Sequence, residues 1–173
     1  MNMSLSEFDE KCLRLTIEVA EKSYADGSFP VGAVLAMNDV VLSTAGNERE
    51  RNSSRVAHAE NTLIIENAKA ILEASKQQKN VKLYTSLEPC IQCLGAAVSN
   101  RINEIFFIQT DTIAGACNLK PENVGPWYID NWPEIHHCPI SDDPRKLLAK
   151  YCLEKMKSDT TGWYEKCYQS YSE

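Results

Sequence analysis

The sequence predicts a three-layer α/β/α sandwich, with helices on both faces of one mixed five-stranded sheet. Three observations carry that prediction. Segments of helical and strand periodicity follow one another in the order α-β-β-α-β-α-β-(β)-α-α. The 173 residues are enough for one ordinary domain and a core that needs no staples. The composition, 43% hydrophobic and 24% charged, is that of a soluble globular protein.

Taken in order, the first element runs from about Ser6 to Asp26. Phe8, Cys12, Leu15 and Val19 recur at helical spacing, Ser6 caps the start and Asp26-Gly27 ends it. FPVGAVLAM, Phe29 to Met37, reads as a buried strand, Asn38-Asp39 as a tight turn and VVLSTA, Val40 to Ala45, as the hairpin partner. Gly46 to Val56 is polar and loop-like. His58 to Leu72 predicts one helix, with Leu63, Ile64, Ala68, Ile71 and Leu72 available for its apolar face. VKLYTS, Val81 to Ser86, is a strand. Pro89 then opens a helix from about Cys90 to Ser99. EIFFIQ, Glu104 to Gln109, is a strand, and Ile135 to Ile140 a short final one. Between them, Asp111 to Pro133 is rich in Gly, Pro, Asn and Trp and has no readable period. Asp142 to Met156 is helical, capped by Asp142 or Asp143. With no repeat or linker, residues 1–173 read as a single domain, and 157–173 as a C-terminal helical segment able to cover an active site.

Charge and cysteine usage exclude several classes. Eighteen Lys and Arg against twenty-four Asp and Glu give a net charge of −6, which argues against a broad phosphate-binding surface. No apolar run reaches the roughly 18 residues of a membrane span. MNMSLSEFDEKC is acidic and polar where a secretory signal needs positive charge and then an apolar stretch. The expectation is a cytoplasmic protein with no membrane partner. Seven scattered cysteines do not read as a disulfide framework, and two of them, Cys90 and Cys93, form a Cys-x-x-Cys.

That pair and His58-Ala59-Glu60 each sit at the start of a predicted helix. If the two helices lie side by side, one imidazole and two thiolates converge on a point, a donor set that suits Zn²⁺. Three protein ligands leave a fourth tetrahedral position for water, which marks catalysis more than structure. Helix N-termini favour the thiolates. Glu60, two residues past the histidine, can reach a metal-activated water from the same first turn and carry its proton. H-x-E followed by P-C-x-x-C is the signature of zinc deaminases. An inert zinc knot lacks a fourth Cys or His to close it, and a redox pair lacks its usual aromatic-Gly-Pro context. His136-His137 read as exposed loop or strand-end residues, and the other five cysteines as packing residues.

The chain resembles the cytidine/deoxycytidylate deaminase-like superfamily of zinc hydrolases. FPVGAVL, Asn47, AHAE, LYTSLEPCIQCLGAAVSNRI and EIFFI follow in the order seen in nucleobase and transfer-RNA adenosine deaminases, over roughly Ser6 to Ile108. The resemblance implies a cytidine deaminase-like fold, with His58, Cys90 and Cys93 as zinc ligands and Glu60 as proton shuttle. It also implies Asn47 as a base-binding residue, Ala59 as a backbone N–H donor, and Phe29 with Pro30 as the wall around the ring. The implied reaction is attack of zinc hydroxide on an amino-bearing ring carbon with release of ammonia. Homodimerisation is the family habit.

Substrate is read from what departs from the family. The acidic net charge and the partly self-neutralised run Glu48-Arg49-Glu50-Arg51 show no phosphate track. SSRV replaces the Asp-Pro-Thr usual before the histidine motif in transfer-RNA and bacterial guanine deaminases, and the basic aromatic C-terminal helix of the transfer-RNA enzymes is missing. QTDTIAGA is similar to the stretch after the Cys-x-x-Cys helix in bacterial guanine deaminases. The tail SDDPRKLLAKYCLEKMKSDTTGWYEK is similar to the end of fungal cytosine deaminase, and Trp163 and Tyr164 match the aromatic pair that closes over its base. Lys166 stands where that enzyme has an Asp, and HAE where it has HGE. The sequence expectation is therefore a free heterocyclic base, cytosine-like or guanine-like, with nucleic acid disfavoured. The alternatives are transfer-RNA adenosine deamination, and a non-catalytic zinc-stabilised partner subunit.

Overall fold

The computed structural model describes residues 5–140 and 144–172. One five-stranded sheet runs through it in the order β2-β1-β3-β4-β5. β1 (Gly32–Met37) pairs antiparallel with β2 (Val40–Gly46) and with β3 (Val81–Leu87), while β3, β4 (Glu104–Gln109) and β5 (Glu134–His137) are parallel. This is the mixed sheet the sequence predicts. The β1–β2 hairpin closes through Asn38 and Asp39, both at positive φ, 49° and 59°. Their short polar side chains tolerate the left-handed turn that matches strand twist.

Strand alternation divides the buried residues between two cores. Ala33, Leu35, Leu83 and Ile105 face one side; Val34, Ala36, Tyr84 and Phe106 face the other. The second set packs on α1 (Glu7–Ala25), through Cys12 and Leu13. Ser6 caps α1 by accepting from the Asp9 N–H, and acidic residues fill its first turn, where the helix dipole favours them. Gly32 is where α1 and the sheet come closest. A Cβ there would overlap the Thr16 carbonyl and the Ala20 backbone. Between α1 and the sheet, buried Asp9 accepts from Tyr84 Oη at 2.6 Å and Lys82 Nζ at 3.2 Å.

The first set packs on α2 (Ala59–Glu66), α3 (Ala68–Lys76) and α4 (Ile91–Ser99), and is extended by α6 (Arg145–Met156) and α7 (Trp163–Ser172). Three expectations change. The helix over His58–Leu72 is two helices that meet at Asn67, whose side-chain amide donates to the Leu63 carbonyl and to Ser43 Oγ of β2. The Leu63 carbonyl also keeps the Asn67 backbone N–H at 3.0 Å, and the chain departs from helical geometry at Asn67 itself, φ −105° and ψ 12°. The first strand begins at Gly32 rather than Phe29, which leaves Phe29 to Val31 in the approach to the sheet. His136 is not exposed: its side chain is 11% accessible, 3.3 Å from Glu104 and against Phe106. The 111–133 stretch holds a single 3₁₀ turn, Pro121–Asn123, and one turn of helix, α5 (Pro126–Ile129). The expected caps Asp142 and Asp143 lie outside the described residues.

Candidate active site

His58 and Cys90 are the N-cap residues of α2 and α4, which pack side by side, and Cys93 lies one turn into α4. Both N-caps have extended backbone, and neither side chain caps its own helix. Their donor atoms turn toward each other instead. His58 Nδ1 lies 3.5 Å from Cys90 Sγ and 3.4 Å from Cys93 Sγ, and the two sulfurs are 3.7 Å apart. Tetrahedral zinc with its usual bond lengths puts S···S at about 3.8 Å and S···N at about 3.6 Å. The triangle fits that ion. Cys90 is pulled down to about 4, chiefly by its contact with the Cys93 sulfur and then by His58. The same contact and burial raise the Cys93 thiol. The hydrogen bond with Cys90 in turn raises His58. Two thiols and an imidazole in mutual contact give up protons when they take a cation.

Glu60 is 4% exposed on the first turn of α2. Thr85 Oγ1 donates to it at 3.3 Å, and Cys93 Sγ is 3.4 Å away. Burial pushes its carboxyl above the ordinary range, as suits a group that must hold a proton and give it up. His58, Glu60 and Cys90 line a cavity of about 130 Å³ with Asn47, Phe29, Trp163 and Tyr164. That is below the roughly 300–1,000 Å³ of sites for drug-sized ligands, and suits a single ring system. Asn47 is buried, and its Oδ1 already accepts the Arg49 N–H at 3.1 Å, which leaves Nδ2 to donate to a ligand.

Two expected contacts are not brought into the cavity. Ala59 is fully buried, and it does not line the cavity. Pro30 gives way to its neighbours Phe29 and Val31. The C-terminal aromatics do reach the cavity: Tyr164 is half-buried against Tyr151, while Trp163 stays 45% exposed at the rim. Sequence reasoning missed the opposite wall. Buried Glu88 accepts from the Asp111 N–H at 3.0 Å and the Cys117 N–H at 2.9 Å, tying the 111–117 loop beside Cys90. At Gly115 a Cβ would overlap the Glu88 carboxylate and the Asp111 carbonyl. The signals available were the Glu in LEPC and the Gly in TIAGA.

Residues 6–109 match the cytidine and deoxycytidylate deaminase zinc-binding region. The tRNA-specific adenosine deaminase of Bacillus subtilis is 36% identical over 149 residues, 86% of this chain and 91% of that protein. The cytosine deaminase of Candida albicans is also 36% identical, but over 116 residues, 66% of this chain and 75% of its own. A solved structure from work on A-to-I editing by tRNA:A34 deaminases superposes with a TM-score of 0.62 at 23% identity, covering 75% of this chain and 98% of that one. The likeness in structure shows the fold. The expectation of a free nucleobase is corrected by these relatives: those that span most of the chain, at 27–36% identity, are mostly tRNA-specific adenosine deaminases. That expectation leaned on net charge, which sums the whole chain and does not describe the charge at one pocket.

Proposed function

This chain belongs to the cytidine and deoxycytidylate deaminase zinc-binding family, and we propose that it deaminates adenosine to inosine in transfer RNA. The observation that carries the reading is the extent of likeness to the tRNA-specific adenosine deaminase of Bacillus subtilis, nearly end to end in both chains. A small cavity is consistent with a large substrate, because a base in a single-stranded loop can be splayed out and inserted alone.

Zinc is the family's metal, and His58, Cys90 and Cys93 are the residues that would hold it. When bound, it supplies Lewis-acid activation of water at neutral pH. The chain's own residues do the rest. Glu60 Oε2 takes a proton from the attacking water and delivers it to the exocyclic nitrogen on ring carbon 6; the C–N bond breaks and ammonia leaves. Asn47 Nδ2 donates to an acceptor on the base and fixes its orientation. Phe29 packs along the ring, and Tyr164 keeps bulk water from the reacting atoms. In this reading the protein works as a homodimer, the exposed Val56, Ile65 and Ile91 on and beside α2 and α4 being covered by a second copy.

The test is ammonia release by zinc-loaded protein against an anticodon stem-loop RNA, adenosine, cytosine and guanine. Turnover of the stem-loop with little on the free bases is expected. Turnover of cytosine or guanine alone would overturn the reading.

A further inference from the structure

Arg49 lines the cavity together with Asn47, His58, Glu60 and Tyr164, and is half-buried. Its neighbours in sequence are two carboxylates, and neither forms an ion pair with it. Glu48 pairs with Arg51 and accepts from Asn52 Nδ2 at 2.9 Å. Glu50 faces the Tyr151 hydroxyl at 3.5 Å. On the cavity's far wall the Glu88 carboxylate is taken up by two backbone N–H groups, and Asp111 Oδ1 accepts from Ile113 and Ala114. Among the described residues, no carboxylate lies within ion-pair distance of the Arg49 guanidinium and no side-chain hydrogen bond is made by it. Arg49 is therefore the basic member of the run that reaches the cavity without an ion-pair partner, while Glu50, on the same lining, is turned to the Tyr151 hydroxyl.

A partly desolvated guanidinium without an ion-pair partner can be matched by an anion brought by the ligand. A purine or pyrimidine ring carries none at neutral pH. The phosphate of its own nucleotide does, and the planar fork of arginine fits it with two parallel hydrogen bonds. The backbone supports the placement, since the Arg49 N–H donates to Asn47 Oδ1. One turn thus orients the amide that meets the base and sets the origin of the side chain beside it.

We propose that Arg49 contacts the phosphate of the nucleotide whose base enters the cavity, and so selects phosphate-bearing substrates over free bases. The inference deepens the transfer-RNA reading and rests on it for the claim that the phosphate belongs to RNA. The shared chemistry is a phosphate ester, from a polynucleotide backbone or from a mononucleotide.

The experiment compares wild type, Arg49→Gln and Arg49→Lys, all zinc-loaded, on stem-loop RNA, adenosine monophosphate and adenosine at several salt concentrations. For Arg49→Gln on the stem-loop, KM rises about tenfold while kcat moves less than about threefold. The salt dependence of log(kcat/KM) becomes shallower by about 0.7–1 per decade, the change expected when one phosphate is no longer neutralised. Arg49→Lys recovers part of the loss as a point charge without the fork. An unchanged KM and salt slope in Arg49→Gln overturns the proposal, as does an equal loss on unphosphorylated adenosine. If wild type acts on the monophosphate but not on the stem-loop, and Arg49→Gln loses that activity, the Arg49 assignment stands and the RNA reading falls. If wild type turns over free bases alone, both fall.

Discussion

Two carboxylates are buried on opposite faces of the same sheet, and consecutive residues of β3 hold them. Tyr84 points toward α1 and donates to Asp9; Thr85 points the other way and donates to Glu60. The two acids are about equally inaccessible, 7% and 4% exposed. They differ in how strong their donors are. For Asp9 burial alone would raise the pKa, but hydrogen bonds from Ser6, Tyr84 and Lys82 outweigh it and hold the carboxyl below its ordinary value. Glu60 has only long hydrogen bonds, from Thr85 Oγ1 at 3.3 Å and Cys93 Sγ at 3.4 Å, and stays raised by burial. Short or charged donors hold a buried carboxylate ionised; long, weak ones leave its pKa raised, as a proton-transfer group requires.

Substitutions on the two faces should therefore fail in different ways. The largest effect is expected from the metal triangle. Cys93→Ala loses zinc, read by metal analysis, and activity drops below detection; retained stoichiometric zinc would remove Cys93 from the ligand set. Glu60→Gln comes next, lowering kcat by about 10²–10⁴-fold while zinc content and melting temperature stay at wild-type levels. Asp9→Asn inverts that pattern. It costs about 2–3 kcal/mol of stability in denaturant unfolding and leaves kcat within a few-fold. If Asp9→Asn instead destroyed activity at full stability, the contrast between the two acids would be wrong.

The smallest effect is one of pH. The folded Asp9 pKa lies below the unfolded value of about 3.9. The unfolded chain therefore binds the proton more readily, and the stability Asp9 contributes is present above about pH 4 and is lost as pH falls through the folded value. Unfolding free energy of wild type should decline over that interval more steeply than that of Asp9→Asn. Parallel curves would mean that Asp9 titrates alike in both states.

The metal side of the molecule was legible because its information is local. His58, Glu60, Cys90 and Cys93 lie in two short motifs, each at a helix start, and the strand pattern brings those starts together. The α1 face was legible as a helix and strands, but not as a charged network. Asp9 is more than 70 residues from Lys82 and Tyr84 in the chain, and no period links them. The helix break at Asn67 comes with a contact to Ser43 of β2, which no local pattern announces. The Glu88 wall depends on the 111–117 loop, whose sequence has no period to read. The substrate expectation failed for a similar reason. It took the Glu48–Arg51 run as one mixed patch, whereas the fold pairs Glu48 with Arg51 and leaves Arg49 on the cavity lining without an ion-pair partner among the described residues.

Transfer-RNA deamination is tested most directly by inosine formation in an anticodon stem-loop, followed by mass spectrometry of the digested RNA, with wild type and Glu60→Gln side by side. Wild type should convert one adenosine, and Glu60→Gln should be slower by about 10²–10⁴-fold at equal zinc content. An unmodified stem-loop after incubation with zinc-loaded wild type would contradict the assignment.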